Sequence, residues 1–207
     1  MILGRLLAPY RRRMLQAQQA RRTAQFTAVP ATPRRVVFLG DSITEWALWD
    51  DWFPELRTCN RGIAGQGIAD VIARLDTALI DPRAVVLLIG TNDLPSPGRA
   101  PDVTPIAAAM AELVAHIRAA APDAALLING VLPRSAAHRA MIETLNQAYR
   151  GIAARAGAVW VETWPAFAAP DGAIRAEYSY DRLHLTAEGY RAWSDLLRPH
   201  LARFGQF

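Results

Sequence analysis

A chain of 207 residues that is 52% hydrophobic and 20% charged is long enough to bury a core and too apolar to be disordered. No apolar run reaches the ~18 residues a membrane-spanning helix needs, and the single cysteine, Cys59, excludes an internal disulfide framework. The net charge of +4 is carried by 23 arginines and no lysine, which excludes a lysine base or Schiff base and fits the codon bias of a GC-rich bacterial genome.

The first 35 residues hold eight arginines and no acid, leaving fifteen arginines against nineteen acids in the remainder. This start lacks the long apolar stretch of a secretory signal, so a cytoplasmic location is expected. Pro9 fits the first turn of a helix running from Tyr10 to about Gln25, and Pro30 and Pro33 end it. Residues 1–33 are expected as a basic helical arm and 34–207 as one domain. The arm has three readings: it packs on its own body or on a second subunit, the latter giving a homo-oligomer; it makes weak contact with an anionic membrane through Leu3, Leu6, Leu7 and Tyr10 beside the arginines; or, the weakest, it binds nucleic acid. Nucleic acid is not an expected partner, because the body is acidic.

Short β-branched and apolar runs at residues 35–39, 84–89, 125–129 and 158–161, with a weaker one at 57–60, read as buried strands. Helical stripes alternate with them: Ile68, Val71, Ile72 and Leu75; Ile106, Met110, Leu113, Val114 and Ile117; Met141, Leu145, Ala148 and Ile152; Tyr190, Trp193, Leu196 and Leu197. Strands alternating with helices imply right-handed crossovers and a parallel sheet covered on both faces. Ligands of such sheets sit beyond the carboxyl ends of the strands, where Ser42 and Asn92 fall.

Ser42, after Gly40-Asp41, is a nucleophile or a helix N-cap, with a helix beginning over residues 43–48. Gly65, in Asn60-Arg61-Gly62-Ile63-Ala64-Gly65-Gln66-Gly67, is by itself a turn glycine. Asn92, in Gly90-Thr91-Asn92-Asp93, is a turn residue or an amide donor for an oxyanion, and Asp93 is expected to bond loop backbone. His184 can exchange a proton near neutral pH, Asp181 three residues earlier can turn back to its imidazole, and Thr186 can cap the last helix. His116, His138 and His200 lack such a setting and read as surface residues. Trp46 and Trp49 share a helix face, as core or as rings lining a cleft, and Arg134 after Leu132-Pro133 is solvated or meets a polar substrate group. No cluster has metal-ligand spacing, so no metal or other cofactor is expected.

These four blocks, in this order from about Val36 to the C-terminus, resemble those of the GDSL esterases, also called SGNH hydrolases. The resemblance implies a flavodoxin-like three-layer α/β/α sandwich with a five-stranded parallel sheet. It also implies a serine esterase in which Ser42, His184 and Asp181 form the triad while Ser42, Gly65 and Asn92 form the oxyanion hole. Within the family the layout is most similar to small acetylhydrolases of the platelet-activating-factor type and to bacterial acetylesterases. That implies a small-molecule ester, with a short acyl group on a carbohydrate or lipid. The alternatives are an acyltransferase using the same triad and a catalytically silent binding module.

Overall fold

The computed structural model describes the backbone of residues 2–97 and 102–205, with side chains from Pro9 onward. Five strands, β1 (Val36–Gly40), β2 (Thr58–Gly62), β3 (Ala84–Leu88), β4 (Ala125–Asn129) and β5 (Val159–Val161), form one all-parallel sheet in the order β2-β1-β3-β4-β5. Between them run α2 (Ser42–Glu45), α3 (Trp49–Trp52), α4 (Ile68–Ile72), α5 (Leu75–Ala78), α6 (Thr104–Ala120) and α7 (Arg139–Arg155), and after β5 come α8 (Trp164–Phe167) and α9 (Ala187–Leu201). The α/β architecture with a five-stranded parallel sheet is the one expected.

Strand alternation divides the core in two. Val37, Leu39, Val85, Leu87, Leu126 and Ile128 face α4, α6 and α7, whereas Val36, Phe38, Val86, Leu88 and Leu127 face the tryptophans and leucines of α3 and α9. On the second face Phe38 stacks on Trp49 with centroids 3.8 Å apart, and Trp49 meets Trp193 edge-on at 4.9 Å. Trp193 Nε1 donates to Asn129 Oδ1, and Asn129 Nδ2 donates to the Leu87 carbonyl, so these two buried side chains pair with each other and with β3.

Two expected helices come out differently. The stretch at 43–48 forms only one turn, because Asn60 Nδ2 lies 3.0–3.2 Å from the carbonyls of Thr44, Glu45 and Ala47 and takes them out of the ladder. The stripe from Ile68 to Leu75 breaks at Arg74, whose guanidinium turns inward.

The N-terminal helix, α1 (Ile2–Ala28), begins earlier than expected and carries Pro9 inside it. Without an N–H, Pro9 gives the preceding turn no hydrogen bond. The side chains of Leu3, Leu6 and Leu7 lie outside the described residues. Further along, Phe26 is buried between the guanidiniums of Arg22 and Arg61, 4.7 and 4.4 Å from its ring centre, and Arg61 Nη2 donates to the Val29 carbonyl. Among the described residues no helix is long and apolar enough to cross a membrane.

Candidate active site

The chain turns to one side of β1 for β2 and to the other for β3, so the carboxyl ends of β1 and β3 form the switch point of the sheet. Ser42 leaves β1 after Asp41, and Asn92 lies in the turn beyond β3. The helix cap is Asp41, not Ser42: Asp41 Oδ1 accepts from the Ile43 N–H at 3.0 Å. Ser42 is thereby the first helical residue, with an N–H that has no intrahelical acceptor and a hydroxyl free of capping duty.

That hydroxyl lies 3.0 Å from His184 Nε2, and His184 Nδ1 lies 2.6 Å from Asp181 Oδ2. Asp181 is fastened in turn, since its Oδ1 accepts from the N–H groups of Leu183 and His184 at 3.0 and 2.8 Å. Arg182, with φ of +64°, makes the left-handed bend that closes this turn. Burial pushes the Asp181 carboxyl upward, but the hydrogen bonds from the His184 side chain and from the His184 and Leu183 backbone outweigh it and hold the pKa at about 2. The loop hangs on α9, where Thr186 Oγ1 accepts from the Gly189 N–H and Tyr190 donates to the Ile43 carbonyl, tying α9 to the serine helix.

Gly65 takes φ of +73°, and its N–H donates to no described residue. Asn92 Nδ2 donates to the Gln66 carbonyl at 2.9 Å, which fixes the amide while leaving its second hydrogen for a ligand. Asp93, expected to bond loop backbone, accepts from the Ile68 N–H with both oxygens. Beneath, the buried Arg74 donates to Gln66 Oε1 and to the carbonyls of Arg61 and Gly40 at 2.7, 2.9 and 3.0 Å. Burial, followed by the neighbouring Arg61, lowers its pKa to about 10, which still leaves it charged at neutral pH.

The two tryptophans separate. Trp46 is half-exposed, with its ring centroid 4.2 Å from that of His184, so it walls the imidazole. Trp49 is not available to a substrate: it is 2% exposed, stacked on Phe38, and its Nε1 donates to the Thr44 carbonyl. Arg134 is half-buried beside the Asn92 turn, with Nη1 3.4 Å from the Thr91 carbonyl. His138, read from sequence as a surface residue, is half-buried and pairs through Nδ1 with Ser135 Oγ at 2.8 Å. Among the described residues no three His, Cys, Asp or Glu side chains group closely enough to hold a metal ion.

Sequence reasoning missed Gln19, Arg22 and Glu45, which surround Ala64 just before Gly65. Gln19 Nε2 donates to the Ala64 carbonyl at 2.9 Å, the Ala64 N–H donates to Glu45 Oε2 at 2.6 Å, and Arg22 Nε lies 3.5 Å from Glu45 Oε1. The only signal was the run of helix formers in the arm, because their partners lie 45 residues on in the case of Gln19.

A family model for the GDSL-like lipase/acylhydrolase family matches residues 38–192. Over 183 residues the chain is 33% identical to the platelet-activating factor acetylhydrolase IB subunit alpha1 of Homo sapiens, with 81% of this chain and 77% of that protein covered. A solved GDSL-like lipase from Bacteroides thetaiotaomicron is 25% identical, with a TM-score of 0.71 over 90% of this chain and 98% of the other. A solved chain from Streptococcus pneumonia, 24% identical, shares the fold with a TM-score of 0.81 over 95% of this chain and 98% of that one.

Proposed function

We propose, from the premise that the chain belongs to the GDSL-like lipase/acylhydrolase family and is an ester hydrolase, that it cleaves short-chain esters through a Ser42-His184-Asp181 triad and an acyl-enzyme. The observation that carries this reading is the unbroken relay from Ser42 Oγ to His184 Nε2 and from His184 Nδ1 to Asp181 Oδ2. His184 takes the proton of Ser42 as the hydroxyl attacks the ester carbonyl, and Asp181 stabilises the imidazolium that forms. The oxyanion meets the N–H groups of Ser42 and Gly65 and the free amide hydrogen of Asn92. Collapse expels the alcohol, protonated by His184, and water repeats the sequence on the acyl-serine.

An acetyl group is the acyl group we favour, supported by the ring of Trp46, whose centroid stands 4.2 Å from that of His184. The human relative is by its name an acetylhydrolase, in keeping with this choice. The alcohol moiety, a carbohydrate or a lipid, would lie toward Trp46 and Arg134.

Ser42→Ala is expected to abolish p-nitrophenyl acetate hydrolysis with an unchanged circular dichroism spectrum, and a fluorophosphonate is expected to label the parent at Ser42 alone. Rates across p-nitrophenyl esters should fall from acetate to longer chains. Turnover by Ser42→Ala at the parent rate would overturn the assignment.

A further inference from the structure

The helix that precedes the matched family region reaches the oxyanion side of the site. We propose that Gln19 of α1 is a positioning residue for the oxyanion hole, holding the peptide unit whose N–H belongs to Gly65; this rests on the reading of Gly65 as an oxyanion donor. A trans peptide is one rigid plane in which the carbonyl of Ala64 and the N–H of Gly65 point in opposite directions. Gln19 Nε2, donating to that carbonyl at 2.9 Å, draws it toward α1 and thereby aims the N–H the other way. The same bond polarises the amide, since chained hydrogen bonds strengthen one another, so the Gly65 N–H becomes a better donor to a developing anion.

The other backbone group of Ala64 is tied to the same helix. Its N–H donates to Glu45, and Glu45 faces Arg22, one helical turn from Gln19. Leu15, one turn before Gln19, closes on Gly65 itself, with its Cδ2 2.8 Å from where a Cβ would stand. Glycine is favoured at 65 by its left-handed φ of +73°, and the ends of the Leu15 and Gln19 side chains lie against its Cα. Phe26, locked between Arg22 and Arg61, and the bond from Arg61 to the Val29 carbonyl fix the register of α1, so Gln19 cannot slide along the loop. Residues 15, 19 and 22 thus form a buttress that lies outside the family-matched residues 38–192.

The test substitutes Gln19→Met in the full chain, which keeps the length and helix propensity of the side chain but removes the donor. Turnover of p-nitrophenyl acetate is measured per active site titrated with a fluorophosphonate, so loss of folded protein does not enter. The expected result is a kcat about tenfold lower with KM unchanged, a fraction of the 10²–10³ lost when an oxyanion donor is deleted outright. Affinity for a trifluoromethyl ketone, which forms a tetrahedral adduct, should fall by the same factor. Gln25→Met, the same change on an exposed position of α1, should match the parent. A kcat per titrated site within twofold of the parent in Gln19→Met overturns the proposal. Asn92→Ala, run alongside, separates the two readings. If Asn92→Ala keeps the parent kcat, the oxyanion assignment fails. If it loses 10²-fold or more while Gln19→Met matches the parent, only the role of Gln19 fails.

Discussion

At Asp181 one carboxylate does two jobs with two oxygens. Oδ1 shapes the loop by accepting from the backbone of Leu183 and His184, and Oδ2 faces His184 Nδ1. Asp181→Asn separates them. An asparagine can keep the backbone bonds through its carbonyl oxygen, but its amide then donates toward Nδ1. That forces the proton onto Nε2, which faces Ser42 and is the acceptor in the proposed mechanism. The expected outcome is a native fold with kcat lower by about 10⁴-fold, the size seen when a triad histidine is held in the wrong tautomer. Stopped assays on p-nitrophenyl acetate, with circular dichroism for the fold, check it. Asp181 and His184 were visible in the sequence because the turn that joins them is local. Trp46 and Trp49 were not separable there, since the same helical spacing serves a ring over His184 and a ring under Phe38. What divides them is the early end of α2, caused by Asn60 in the next strand.

At the level of elements, the central strands β1, β3 and β4 were legible from apolar runs, because a strand covered on both faces is built mostly of apolar residues, whereas the edge strand β2, Thr58–Gly62, is polar and gave only a weak signal. The break between α4 and α5 was not. The apolar stripe through Ile68, Val71 and Leu75 continues across it, and the cause is the reach of Arg74 to carbonyls 13 and 34 residues away. This guanidinium joins the end of β1, the end of β2 and the Gln66 loop, and the Gln66 carbonyl in turn holds the Asn92 amide. Arg74→Met fills the space but leaves the Arg61 carbonyl and the Gln66 side chain without this buried donor. At about 1–3 kcal/mol for each group stripped of its partner, a loss of roughly 3 kcal/mol in urea unfolding is expected. Activity should fall as well, because the loop that orients Asn92 loses its support. Unfolding within 0.5 kcal/mol of the parent, on the order of an ordinary surface substitution, would refute the role given to Arg74.

Across the whole molecule, two carboxylates near the serine give stability opposite dependences on pH. Asp181 is held at about 2 in the fold against an ordinary value of 3.8, so the unfolded chain binds its proton more readily. Its stabilising contribution is complete above about 3.8 and is lost as the pH falls toward 2. Asp41 behaves in the opposite sense. Its burial, opposed by the hydrogen bond from Ile43 and reinforced by the charge of Asp93, raises its pKa to about 7. Between 3.8 and 7 the folded protein is the better proton binder, so stability falls as the pH rises through that window. Asp93, raised chiefly by its own burial, pushes the same way. Melting temperature is therefore expected to peak close to pH 4 and decline toward neutrality. Asp41→Asn retains an acceptor for the Ile43 N–H and removes the titrating group. It should flatten the decline between pH 4 and 7 while leaving the acid limb set by Asp181 in place. A parent profile that rises between pH 4 and 7, or an Asp41→Asn profile parallel to the parent, would show that the buried carboxyl does not govern this range.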